Sequence, residues 1–120
     1  MNLAAIEIKA LVPARDLSAS KGFYSALGFE VPWSNETLAY VRYGPASFLL
    51  QHFFVPEHAG NFVMHLLVEN VDDWHKHVLA SGVVERFGIR IEAPEDRPWG
   101  LRDFALTDPA GVLWRVGQNI

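Results

Sequence analysis

Apolar residues along this chain repeat at two periods, and the two periods follow one another in the same order twice. In AAIEIKALVPARDLSASKGFYSALGFEV an apolar run leads into Pro13, and Asp16 and Ser18 then offer side-chain oxygens suited to capping a helix start. Ala19, Phe23, Ala26 and Leu27 recur at helical spacing, and Gly28 fits the helix's C-terminal stop. In NFVMHLLVENVDDWHKHVLASGVV the plan returns. An apolar strand runs to Val68, Asn70 or Asp72 caps, Val71, Trp74 and Val78 form the buried stripe, and Gly82 ends the helix.

Each unit closes with strands joined by a turn. TLAYVRYG and SFLLQHFF flank Gly44-Pro45-Ala46, and RDFALT and VLWRVGQ flank Asp108-Pro109-Ala110-Gly111, whose Asp, Pro and Gly suit a type I turn. The pattern predicts βαβββ twice, an α+β fold with module 1 over about 1–57 and module 2 over about 61–120. Sheets that curl beneath helices leave a concave inner face, so two such modules are expected to enclose a groove. Alternation along the last strand turns Trp114 toward the helices and Arg115 toward that groove.

Length fits a single domain of 120 residues, 50% hydrophobic and 20% charged, which is too apolar for disorder. No apolar run reaches the ~20 residues that span a bilayer, and MNLAAIEIKA does not read as a secretion signal, so a cytoplasmic protein without a membrane partner is expected. The lack of cysteine excludes disulfides, thiol nucleophiles and thiolate-bound metals. A net charge of −4 opposes nucleic-acid binding and modestly favours a cationic ligand.

Candidate chemistry is sparse. No serine sits in a Gly-x-Ser-x-Gly elbow. His75 and His77 are two apart on a helix and cannot pair as an i, i+4 zinc motif does. His52 is expected on the helix-covered face, His58 in a solvated loop, and His65 on the groove side. Aromatic residues are the stronger signal: Trp33, Tyr40, Tyr43, Phe53, Trp99 and Trp114 are many rings for one small domain. Trp99, between Pro98 and Gly100 on a loop, is expected to line the groove, with Glu92, Glu95 and Asp96 making its entrance acidic. The expected ligand-binding set is Leu49 and Phe53 as apolar wall, Trp99 as stacking ring, and Gln51, His65, Arg102 and Arg115 as polar contacts.

Three stretches, VPARDLSASKGFYSALGFEV, MHLLVENVDDW and WGLRDFALTDPAGVLWRV, resemble the vicinal oxygen chelate superfamily of glyoxalases, extradiol dioxygenases and bleomycin resistance proteins. The ending RPWGLRDFALTDPAGVLWRVGQNI is most similar to the bleomycin-binding resistance proteins. The resemblance implies paired modules, a dimer with the N-terminal strand exchanged near a proline such as Pro13, and two equivalent grooves.

Metal-dependent members present His, Gln or Glu from four inner strands. Carried onto this chain, those positions fall near Ile8 or Lys9, on Gln51, on Val63 and on Arg115, of which Gln51 alone is a competent ligand and a guanidinium has no lone pair to give. A register slip would offer Glu7 and His65 beside Gln51, and Arg115 would neutralise an inner acid such as Glu7 in a purely structural role. The reading is therefore a non-enzymatic, cofactor-free protein that sequesters an antibiotic-like molecule, with neither catalytic residues nor a metal. The alternative is a metal-dependent lyase, isomerase or dioxygenase acting on vicinal oxygens, and a dimeric interaction module without a small ligand stands third.

Overall fold

A computed structural model describes all 120 residues. Strands β1 (Leu11–Ala14), β2 (Glu30–Ser34), β3 (Leu38–Tyr43) and β4 (Ala46–His52) form one sheet with helix α1 (Leu17–Ala26). After the short helix α2 (Pro56–Gly60), strands β5 (Val63–Leu67), β6 (Glu95–Arg97), β7 (Leu101–Thr107) and β8 (Leu113–Asn119) form the second, with helices α3 (Val71–Ser81) and α4 (Val83–Phe87). The sheet orders are β1-β4-β3-β2 and β5-β8-β7-β6. In each, the first strand runs parallel to the last and the remaining pairs are antiparallel.

Local chemistry sets the element ends. Asp16 caps α1 by accepting from the Ala19 N–H at 3.0 Å, and Asn70, rather than Asp72, caps α3 through the Asp73 N–H at 3.0 Å. Gly82 ends α3 in the left-handed conformation at φ 79°, which a residue without Cβ adopts freely. At the β7–β8 turn Gly111 donates to the Asp108 carbonyl at 3.0 Å, while the Asp108 carboxylate accepts from the Ala110 and Val112 N–H groups.

Alternate residues of both sheets point into one shared core. Val12, Val41, Phe48 and Leu50 of the first sheet and Phe104, Leu106, Trp114 and Val116 of the second belong to a single cluster of 20 buried residues, with Phe23 and Tyr24 of α1 among them. Tyr24 stitches the halves together. Its hydroxyl donates to Asp108 at 2.6 Å and accepts from the Trp114 indole N–H at 2.8 Å. Burial and the Asp108 charge push the Tyr24 phenol well up, and burial raises the Asp108 carboxyl despite the hydrogen bonds it accepts.

Because the helix-bearing faces share that core, the two inner faces turn away from it and stand open. The groove expected between the modules is not closed within one chain; each sheet presents one open wall. Residues 1–10 form an extended exposed arm outside both sheets. Pro13, expected near the hinge of that arm, lies inside β1 opposite Gln51, and the arm departs at Ala10 instead.

Candidate functional site

Period-two alternation assigns the inner faces. On β4, Phe48 and Leu50 are buried against the core, which leaves Ser47, Leu49 and Gln51 on the open side. Across the ladder Leu49 faces Tyr40 and Leu11, and Gln51 faces Leu38 and Pro13. Trp33, paired with Tyr40, extends this wall and is half exposed. The first half-groove is thus apolar and aromatic, with one amide.

The second differs in kind. Trp114 and Val116 are buried, so Arg115 faces the open side between Ala105 of β7 and His65 of β5. Asp103 sits one step along at 1% exposure, opposite Gly117 and Glu95. Arg97 donates through Nε to Asp103 at 2.7 Å and through Nη1 to Glu95 at 3.2 Å, and Arg115 approaches the same Asp103 oxygen at 3.6 Å. Gly117 has a steric role: a Cβ there would meet His65 Nε2 at 3.2 Å and Asp103 Cβ at 3.4 Å, so the missing side chain makes room for both.

A cleft of about 400 Å³ lies between the arm and the seam of the two sheets, bordered by Ile6, Glu7, Ile8, Ser47 and His65 together with the core-facing Phe48, Leu66 and Trp114. Here Glu7 anchors the arm to the first sheet. Its carboxylate accepts from the Tyr40 hydroxyl at 3.0 Å, from Ser47 at 2.9 Å and from Lys9 at 3.0 Å, and these hydrogen bonds, the Lys9 one foremost, hold it below the ordinary carboxylate range. Arg115 therefore meets Asp103, not the Glu7 suggested by the sequence.

Several other expectations are also corrected. Arg102 does not face the groove: it pairs across the ladder with Asp96 and Gln118 on the helix-bearing side and bonds Asp72 of α3 at 3.0 Å. The acidic entrance is internally paired, Glu92 and Glu95 with Arg97 and Asp96 with Arg102. His52 is exposed at the end of β4 instead of packed beneath a helix. His58 is exposed as expected but belongs to α2 and not to a loop, its ring edge-on to Phe53 and Phe62. His75 and His77 do not pair, as expected: His77 is exposed and contacts the Leu27 carbonyl at 2.6 Å, and His75 is half-buried and edge-on against Phe104.

Phe53 continues past β4, half exposed, and Trp99 stands 64% exposed at the tip of the β6–β7 hairpin. Tyr40, Ser47, Arg97 and Asp103 were missing from the sequence-derived set. Counting by two from Gln51, and across the Asp-Pro-Ala-Gly turn from Arg115, would have put Ser47 and Asp103 on the inner faces.

The donor set does not suit the four-strand chelate. Gln51 lies level with Pro13, not Ile8 or Lys9, and Arg115 lies level with His65, not Val63, so each ladder level pairs one candidate donor with a residue that has none. No group of three or more His, Asp or Glu side chains is placed to hold a metal ion.

Comparison with known proteins bears on the fold and the site. The family model described as "Glyoxalase/Bleomycin resistance protein/Dioxygenase superfamily" matches residues 7–116. A bleomycin resistance protein of Klebsiella pneumoniae is 29% identical over 113 residues, covering 90% of this chain and 88% of that protein. The crystal structure of a bleomycin-binding protein complexed with bleomycin matches with a TM-score of 0.82 at 26% identity, covering 97% of this chain and 100% of that one. Lactoylglutathione lyase from Agrobacterium tumefaciens shares the fold, with a TM-score of 0.69 at 20% identity over 96% of this chain and 94% of its own.

Proposed function

Because this chain belongs to the Glyoxalase/Bleomycin resistance protein/Dioxygenase superfamily, we propose that it binds and sequesters a small antibiotic-like molecule without catalysis, bleomycin being the first candidate. One observation carries the non-catalytic part: at both ladder levels where lone-pair donors would have to converge, one partner is Pro13 or Arg115. Metal-assisted catalysis polarises a substrate oxygen through an ion held by several donors, and a proline and a guanidinium supply none.

The site is a composite groove, with one open sheet from each of two copies. The first-sheet wall contributes Leu49, Gln51 and Phe53, the second-sheet wall contributes His65 and Arg115, and Trp99 stacks on the ligand from the hairpin tip. Support for a second copy lies in the open inner faces, where Val63 and Leu67 are 54% and 53% exposed, and in an arm whose Ile6 and Ile8 are 94% and 97% exposed. A two-fold pair would cover these residues, exchange the arms and form two equivalent grooves. The proposed setting is the cytoplasm, and no helix is long and apolar enough to cross a membrane.

Titration calorimetry with metal-free bleomycin tests the reading. Saturable binding at one bleomycin per chain supports it, and Trp99→Ala should weaken that binding tenfold or more, about 1.4 kcal/mol. No heat and no thermal shift at millimolar bleomycin would remove bleomycin as the ligand. Light scattering on a gel-filtration peak should return twice the chain mass; a monomer at micromolar concentration defeats the composite groove. A dialysed protein that retains one divalent ion per chain would transfer the site to the lyase, isomerase or dioxygenase alternative.

A further inference from the structure

The rim of the shared core carries a concavity of its own. The β3–β4 turn of the first module and the β5–α3 connection of the second leave a cavity of about 630 Å³ between them, within the ~300–1,000 Å³ typical of small-molecule sites. Tyr43 follows the buried Val41 by two positions and Trp74 comes from α3, so the cavity lies on the helix-bearing side. Leu67 at its edge is the residue it shares with the open second wall.

One side of the cavity is an aromatic corner. The rings of Tyr43 and Trp74 stand 66° apart with centroids 5.1 Å from each other, and each is held from behind, Tyr43 by Phe29 at 5.3 Å and Trp74 by His77 at 5.5 Å. Tyr43 is nonetheless 41% exposed, which leaves ring surface for a ligand. The other side is acidic. Glu69 and Asp73 border it and no lysine or arginine does. Neighbouring Asp72 is taken by Arg102, and Asn70 is used up in capping α3, whereas the carboxylates of Glu69 and Asp73 have neither an ion pair nor a hydrogen bond. An aromatic face attracts a cation within about 6 Å of its centroid, and the two carboxylates add attraction of the same sign. An anion is repelled here, and an uncharged ring uses only half of the cavity.

We propose that this corner is a second small-molecule site, separate from the composite groove, which takes a flat organic cation. Its ring system lies against Tyr43 and Trp74, and its charged nitrogen faces Glu69 and Asp73. The site goes beyond the sequestration reading and does not depend on it.

Two dyes that differ by one methyl group and one charge test it. Thioflavin T is a permanent benzothiazolium cation, and 2-(4-dimethylaminophenyl)-6-methylbenzothiazole is its uncharged parent. Titrated by fluorescence against the full chain, the wild-type protein should bind the cation roughly fivefold more tightly or better. Glu69→Gln combined with Asp73→Asn should erase that preference and leave the uncharged dye within twofold. Glu36→Gln combined with Glu57→Gln removes the same charge elsewhere and should leave the preference intact. Tyr43→Leu should weaken both dyes at least threefold, while Trp99→Ala, which alters the groove, should leave both within twofold. Thermal melts check folding, and the Glu69 and Asp73 pair, being exposed, carries the comparison if Tyr43→Leu melts early. Equal wild-type affinities, a preference that survives the Glu69 and Asp73 substitutions or falls as far with the control pair, a loss caused by Trp99→Ala, or no binding of either dye each overturns the inference. None of these outcomes touches sequestration, which stands or falls on bleomycin.

Discussion

The two sheets share strand order, strand directions and core-facing pattern, yet their open faces differ in the polar groups they carry. Leu11, Pro13, Leu38, Tyr40, Leu49 and Gln51 make the first a mainly apolar wall, whereas the second sets His65, Arg97, Asp103 and Arg115 among the apolar Val63, Leu67 and Leu113. Burial against the helices fixes the alternate positions that hold the fold, and the positions between them are free to specialise. Two walls of different chemistry suit a ligand that is apolar on one side and polar on the other.

The sharpest test of this contrast is to remove the polar centre of the second wall. Asp103→Ala leaves Arg97 and Arg115 facing each other over a buried gap, and since both arginines reach solvent, the loss should be about 2–3 kcal/mol rather than that of a fully buried pair. The first-wall counterpart, Tyr40→Phe, removes one hydrogen bond at an exposed arm and should cost under ~0.5 kcal/mol. Denaturant melts of the two variants compare them directly, and equal losses would break the contrast.

Tyr24→Phe probes what the halves share. It orphans the buried Trp114 N–H and strips a donor from Asp108, for an expected loss of about 2 kcal/mol. The sign with pH follows from Asp108, whose folded pKa is raised. Its native state holds a proton more readily than the unfolded chain, so this group favours folding in acid and loses that contribution as pH rises through the folded value. Without the Tyr24 hydroxyl the ionised carboxylate is still less welcome. The deficit should therefore be larger at pH 7 than at pH 4, and a deficit that shrinks with rising pH would count against this account.

Gly117→Ala should cost about 1 kcal/mol by crowding His65 and Asp103 together. Glu7→Gln should have the smallest effect on melting. Its measure is amide exchange in residues 1–10, which should speed up. Because the Glu7 pKa is lowered in the fold, its hold on the arm is present above the unfolded carboxylate value and lost as pH falls through the folded one. The wild-type arm should accordingly loosen in acid while the variant stays indifferent.

Much of this was legible from residue order because it is local. The helix caps at Asp16 and Asn70, the stops near Gly28 and Gly82, the Asp108 turn and the inward face of Arg115 all follow from short-range sterics and a two-residue period. α2 and α4 were not foreseen, being only five residues each and without the length to show a helical repeat. Arg102 was assigned to the groove although it precedes Asp103 by one position, and on a strand that single step reverses the face.

Sequence by itself determined two βαβββ units, their cores and a cationic residue on the last strand, because alternation and capping act over a few residues. Which strands lie level with one another was decided only in three dimensions. The parallel pairings of β1 with β4 and β5 with β8 join segments some 38 to 50 positions apart, and no local rule sets that register. Tertiary packing also put the two helix-bearing faces on one core and so left the inner faces open. That choice depends on burying Tyr24, Phe48 and Trp114 together, a gain summed over the whole molecule that no single stretch of sequence records.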